Sequence, residues 1–275
     1  MVELVVSQGR VADRTAGAIR GALLTGQALA ERTGRPVRTV GRPSDPRTDG
    51  WQEALAEAAP TLDAVGEAVG AVLDAGRVPV MVASTCATSV ATLPLVARHR
   101  PGAVVVWIDA HADFNTPATT WSGYLGGMVL AAGCGLWDSG YGGGVDPRDV
   151  VLVGARDVDD AEQELLREHG VRVLAPAEAT PERLADVVGD REVWFHVDWD
   201  VLEPGAVPAA YRVPGGLTPE QVGRLLAAVP AERVAGVELA EFEASGTPAD
   251  EDAVAAILRA VEPLVAGLTA QEPRG

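Results

Sequence analysis

The sequence predicts an α/β protein with three layers, αβα, around a central parallel sheet. Three observations carry that prediction. Short runs rich in Val, Ile and Leu alternate with longer Ala- and Leu-rich runs, the order that builds a parallel sheet with crossover helices. The short runs are continuously apolar, as in strands covered on both faces. The chain has 275 residues, 47% of them hydrophobic, enough for a large core. No repeat, linker or shift in composition divides it, so one domain over residues 1–275 is expected.

Strands are expected at 2–7 (VELVVS), 78–84, 103–109, 150–156, 171–175, 192–198 and 233–239. Helices are expected at 12–33, 50–76, 86–99, 159–169, 180–188, 218–228 and 248–267, with Pro60 breaking or starting a helix inside the second. The clearest starts are TPERLADVV and TPEQVGRLL, each with Thr at the N-cap, Pro at N1 and Glu at N2. The Gly-rich SGYGGGVDP (139–147) reads as a loop. It lacks GxxxxGK[ST] and opens no helix, so it is no phosphate cradle.

The formal charge is -17, and every base is Arg. Such a surface disfavours nucleic acid and anionic membranes as partners and is compatible with a cationic substrate. Two cysteines, Cys86 and Cys134, make no disulfide framework. The N-terminus lacks a signal-peptide pattern, and no apolar stretch reads as long enough to span a membrane. A cytoplasmic protein is expected.

Two strand ends carry the chemistry. WIDAHADFN (107–115) follows an apolar run with Asp109, His111 and Asp113 at alternate positions. Alternate residues of a strand share a face. FHVDWDVLEP (195–204) repeats the device with Asp198 and Asp200. In parallel sheets ligands bind beyond the carboxyl ends of the strands, so both clusters belong on one edge. Four carboxylates and one imidazole are too oxygen-rich for a structural zinc site and suit Mn²⁺ or a similar ion. Bridging carboxylates can hold two ions, which together generate and orient hydroxide. The plainer alternative is two unrelated acidic strand ends facing solvent.

DAHADFNTP resembles the DAHxDxN(T)P signature of the ureohydrolases, the family of arginase, agmatinase and their relatives. HVDWDVLEP is similar to the family's (S)xDxDxxDP, and GVELAEFEAS (236–245) to its Glu-bearing third region. VLVGARDVDDAE (151–162) and VPGGLT (213–218) match further stretches, in the family's order. The resemblance implies a parallel sheet of about eight strands and a binuclear manganese site. It implies cleavage of a guanidino group, a linear amidine, to an amine and urea by a metal-bridging hydroxide. On that resemblance Asp109 and Asp198 bridge the ions, Asp113 binds one, and His111 and Asp200 bind the other. Asp200 also moves the proton, and Glu241 pairs with the substrate guanidinium, with Glu243 too far into the loop to replace it. Asn115, Thr120 and Ser122 correspond to residues at a substrate carboxylate, and Asp159 to one near an α-amino group. A homo-oligomer, trimer or hexamer, is implied as well. Bottom-up chemistry equally accepts an amide or formimidoyl substrate.

The sequence departs from the family in MVASTCATSVA (81–91), where Cys86 stands in the place of the first metal-binding His and Thr85 in that of an Asp. Cys86 is either a thiolate ligand or a small core residue. As a ligand it favours a softer ion such as zinc or iron, or leaves a single ion. Gly126 replaces a proton-shuttling His, and Tyr124 an Asn. Trp121 and Tyr124 alter the far end of the pocket, which leaves arginine, agmatine and a guanidino acid open as substrates. His196 shares a face with Asp198 and Asp200 and is either support behind the ligands or a core histidine. The rival function is a weakened or silent member that binds a small cationic ligand. A one-zinc deacetylase is disfavoured by the intact Asp113 and Asp200.

Overall fold

The computed structural model describes residues 1–270. One eight-stranded sheet runs through the chain in the order β2-β1-β3-β8-β7-β4-β5-β6. The strands are β1 (Val2–Ser7), β2 (Val37–Val40), β3 (Val78–Val82), β4 (Val104–Ile108), β5 (Val150–Val153), β6 (Arg172–Leu174), β7 (Val193–Asp198) and β8 (Val234–Ala240). All pairings are parallel. The helices are α1 (Gly17–Thr33), α2 (Trp51–Asp74), α3 (Ser89–His99), α4 (Val129–Gly133), α5 (Asp160–His169), α6 (Pro181–Val188), α7 (Pro219–Ala227) and α8 (Ala249–Ala270).

The central strands are mainly apolar because both faces are covered, whereas the edge strands β2 and β6 are partly exposed. In β4, Val104, Val106 and Ile108 join the core under α1, α7 and α8, while Val105 and Trp107 join the core under α2, α3 and α4. Thr180 caps α6 as its start signal predicts, and Thr218 with Gln221 forms a capping box on α7.

Four expectations change. β2 has no counterpart among the expected strands, because VRTV is a short, partly exposed edge strand with a charge in it. α1 starts at Gly17, so residues 12–16 belong to a loop. Pro60 neither breaks nor starts a helix: α2 runs through it. Pro60 lies on the exposed side, and Ala54, Ala58, Leu62 and Val65 hold both halves of α2 in the core, which offsets the missing backbone bond. Finally, α8 is long and apolar enough to pass for a membrane span by length and composition. Its apolar side is core, with Ile257, Ala260, Val261 and Leu264 buried against α7 and α1.

The strand order sets the place of the site. The chain builds β1 to β3 on one half of the sheet and β4 to β6 on the other, then returns with β7 and β8 between them. The carboxyl ends of β3, β8, β7 and β4 therefore lie side by side at the point where the order reverses, the usual ligand position in an open α/β sheet.

Candidate metal centre and active site

Each of the four strand ends supplies part of one pocket of about 730 Å³. Cys86 follows β3, Glu241 follows β8 directly, Asp198 ends β7, and Asp109 follows β4. Cys86, His111, Asp113, Asp198, Asp200 and Glu241 line the pocket, and Asp109 lies behind them, 1% exposed. The alternating pattern has a local cause. Asp109 Oδ1 accepts from the His111 amide at 2.7 Å, and Asp198 Oδ1 from the Asp200 amide at 2.7 Å. At each strand end the first Asp folds the chain so that the residue two positions on faces the same space.

The ligand-type atoms converge in three groups, Cys86 with Asp198 and Glu241, Cys86 with Asp109 and His196, and Asp109 with His111 and Asp200. Within each the ligand atoms lie within 4.8 Å of one another. His111 Nδ1 is 3.0 Å from Asp200 Oδ2 and 3.4 Å from Asp109 Oδ1. Cys86 Sγ is 3.2 Å from Asp198 Oδ2 and 3.1 Å from His196 Nε2. Asp113 Oδ2 is buried and has no hydrogen-bond partner.

Two of these residues have backbone that side chains rarely adopt. Asp113 has φ 50° and Glu241 φ 68°. Such conformations cost on the order of 1–3 kcal/mol and persist where the surroundings enforce them. The Asp113 carbonyl accepts from the Leu130 amide at the start of α4, and the Glu241 amide donates to the Ser84 carbonyl. The turn at Glu241 ends strand alternation there, so it separates the two glutamates that alternation alone places together. Glu241 Oε1 accepts from the Cys86 amide at 2.9 Å within the pocket, whereas Glu243 accepts from the Thr15 hydroxyl outside it.

Burial and crowding shift the acids strongly. Burial, then repulsion from Asp109, raises Asp113 well above the usual carboxylate range. Burial, then Asp200 and Asp109, does the same to Asp198. Burial raises Asp200 to about 6. Burial, with Asp198 next, pushes the Cys86 thiol up. His111 goes the other way: burial opposes its charge, but Asp109 and Asp200 hold its pKa up. His111 in turn draws Asp109 down against burial.

Beneath the pocket lies a layer of supporting side chains. His196 Nδ1 is 3.1 Å from Glu238 Oε2, and the ring stacks on Trp107 at 3.5 Å and 4°. Ser89 donates to Glu238 at 2.9 Å, and Thr92 donates to it as well. His196 and Glu238 are direct neighbours across β7 and β8. His196 therefore stands behind Cys86 as support. The sequence signal for Glu238 is a lone Glu inside the apolar VAGVELA. Trp107 Nε1 also donates to Asp109 Oδ2 at 2.9 Å.

Toward the mouth, Asn115 Nδ2 donates to Asp159 Oδ2 at 3.1 Å, and Asp159 caps α5 through the Glu162 amide. Asn115, Ser122 and Asp159 line the pocket. Thr120 does not, its Oγ1 instead accepting from the Gly123 amide. Trp121 is 83% exposed. A Cβ on Gly126 would lie 2.4 Å from the Tyr124 ring, so Tyr124 fills the space of a side chain at 126. Arg14 and Tyr211 also line the pocket and have no motif to reveal them; Glu162, the last residue of VLVGARDVDDAE, lines it too.

The chain matches the model of the arginase family over residues 19–265. It is 54% identical over 267 residues to the N(omega)-hydroxy-L-arginine amidinohydrolase of Streptomyces lavendulae, covering 96% of this chain and 97% of that protein. It is 33% identical to the arginase of Bacillus caldovelox over 60% of each chain. Among solved structures, the arginase of Bacillus subtilis superposes with a TM-score of 0.84 at 23% identity, over 96% of this chain and 98% of that one. The proclavaminate amidino hydrolase of Streptomyces clavuligerus gives 0.73 at 21%, over 98% and 92%.

Proposed function

The chain belongs to the arginase family, and from that premise we propose that it hydrolyses the guanidino group of a small linear substrate to an amine and urea at a binuclear manganese site. Hydroxyurea replaces urea where the guanidine is N-hydroxylated, and the Streptomyces lavendulae relative makes N(omega)-hydroxy-L-arginine the first substrate to try. The observation that carries the reading is the meeting of five carboxylates, one imidazole and one thiol at four adjacent strand ends, with the unpartnered Asp113 Oδ2 among them.

These residues fit divalent ions. Buried acids that raise one another's pKa need cations between them, and Asp113 offers a free oxygen. Cys86, Asp113, Asp109 and Asp198 would hold one ion, and His111 and Asp200, with Asp109 and Asp198, the other. The Cys86 thiol lines the pocket beside Asp198, which supports its role as ligand over that of packing. The oxygen-rich set favours Mn²⁺, and Cys86 makes the first position softer than the second. When bound, the ions supply Lewis acidity and a water acidic enough to attack at neutral pH.

The chain does the rest. Glu241 meets the planar guanidinium with a carboxylate fork and orients its carbon. Asp200 takes the proton of the attacking water at Oδ2 and passes it to the leaving nitrogen. Asn115, Ser122 and Asp159 hold the remainder of the substrate. Tyr124, in the space beside Gly126, closes that side with an aromatic wall. The family's habit supports a homo-oligomer, a trimer or hexamer, and two free cysteines suit a reducing cytoplasm.

The test is elemental analysis of the purified protein after Mn²⁺ loading, with urea and hydroxyurea assayed across guanidino compounds. About two ions per chain and release of either product support the reading. No metal under any loading points to the silent, ligand-binding alternative.

A further inference from the structure

We infer that Arg14 pairs with a carboxylate on the substrate and so makes the pocket prefer guanidino acids over guanidino amines. This rests on the hydrolase reading above and adds to it the residue that reads the far end of the substrate.

The loop between β1 and α1 brings in two arginines that are used differently. Arg10 is 4% exposed and saturated: Nη2 donates to both Asp49 oxygens at 2.8 and 2.7 Å, and Nη1 to Glu57 at 3.1 Å. Arg14, half-buried, has no carboxylate partner among the described residues. Its Nη2 donates to the Asp49 carbonyl at 3.1 Å and reaches the Ser122 carbonyl at 3.5 Å. Its guanidinium lies on the Tyr124 ring, 4.6 Å from the centroid. Its Nε is buried with no hydrogen-bond partner. In a chain with 39 acids and 22 bases, a half-buried cation without an acid is conspicuous. Arg14 also lines the pocket.

The pocket is thus polar along its length. Its floor is anionic, and its mouth holds a guanidinium that no acid among the described residues neutralises. An anionic tail entering over that floor is repelled unless a cation receives it. The neutral donors near the mouth are partly committed. The Asn115 amide donates to Asp159, Ser122 Oγ accepts from the Tyr124 amide, and Thr120 is off the wall. Arg14 contacts this same segment at Ser122 and Tyr124, so a carboxylate held between Arg14 and Ser122 leaves the cationic head over Glu241. Arg212, the other arginine on the lining, is exposed and serves as a comparison.

The experiment is calorimetric binding of L-arginine and of its decarboxylated counterpart agmatine to Mn²⁺-loaded wild type, Arg14→Ala, Arg14→Lys and Arg212→Ala, with urea release followed in the same preparations. Arg14→Ala is expected to weaken L-arginine binding by about tenfold or more, the scale of a hydrogen bond between charged groups, and agmatine far less. Arg14→Lys, which keeps the charge and loses the fork, is expected to fall between. Parallel weakening of both ligands by Arg14→Ala would overturn the inference, since it means that Arg14 only holds the loop. Selective loss in Arg212→Ala instead would overturn it too. Selective loss in Arg14→Ala, with no urea from L-arginine or agmatine and no hydroxyurea from added N(omega)-hydroxy-L-arginine in any preparation, keeps the inference and sinks the hydrolase reading. Urea release with unselective binding does the reverse.

Discussion

Around His111, Asp109 and Asp200 the chain balances its own charges, whereas around Cys86, Asp113 and Asp198 it does not. In the first region the imidazole sits between two carboxylates, holds its proton firmly, and draws Asp109 down. In the second, Asp113 and Asp198 are both pushed up, the thiol is pushed up, and a buried Asp113 oxygen lacks a partner. Two halves of one pocket built from adjacent strands thus differ in how much they need a cation. The difference teaches that the Cys86 half is the selective one: its geometry is held by strain at Asp113 and by the Glu238–His196 pair, and an ion is what makes its crowding favourable.

The largest way to break this comparison is Asp198→Ala, because Asp198 serves both halves. Elemental analysis is expected to show loss of metal, and urea or hydroxyurea release should drop below detection. Full metal occupancy in that variant sinks the ligand assignment. Single-sided variants sharpen it: Cys86→Ala and His111→Ala are each expected to leave about one ion per chain, from opposite halves. Cobalt loading separates them, since only the Cys86-bearing half can show a thiolate charge-transfer band. If that band survives Cys86→Ala, the thiol is packing.

A smaller effect is expected from Glu238→Gln. Glu238 touches neither pocket nor ligand oxygen. It accepts from Ser89 and Thr92 and orients His196, whose Nε2 faces Cys86. Loss of such support typically costs about 10–100-fold in metal affinity. Dialysis against graded chelator should show one ion released about tenfold more readily while the other is unchanged. Equal weakening of both ions means that Glu238 supports the sheet and not the Cys86 half.

How much of this the sequence discloses depends on range. The clusters after β4 and β7 are legible because each is local: an apolar run, then polar residues at alternate positions, folded by an Asp that bonds two residues on. The parallel sheet is legible for the same reason, apart from β2, whose four residues at an exposed edge carry no apolar run. What stays hidden is long-range. Glu238 meets His196 only through strand register, and Arg14 reaches Ser122 across more than a hundred residues by way of a non-repetitive loop. The left-handed backbone at Asp113 and Glu241 follows no glycine rule and is imposed by the α4 start and by Ser84.

The smallest expected effect is in pH dependence, and its sign separates the halves. Asp13, buried beside Ser84 with one oxygen unpartnered, is raised from 3.8 to about 6, mainly by burial, and Asp200 likewise to about 6. An acid with a raised folded pKa binds its proton more tightly when folded. Its contribution is therefore complete below the ordinary value of 3.8 and is lost as pH climbs through about 6. Asp113, Asp198 and Glu241 act in the same direction. Asp109 and Glu238, which are lowered, act oppositely, but their contribution is already complete above the ordinary carboxylate range. His111, raised, keeps its contribution below its ordinary value of 6.5 and does not oppose the trend in this window. Chelator-treated protein should thus lose a few degrees of melting temperature between about pH 4.5 and 6.5. With excess Mn²⁺ the melting temperature should rise over the same interval, because protons then compete with the ion for the carboxylates. Asp13→Asn should flatten the chelated curve without changing metal content. A chelated curve that rises with pH would mean that the crowded half is balanced after all, and the contrast between the two halves would fall.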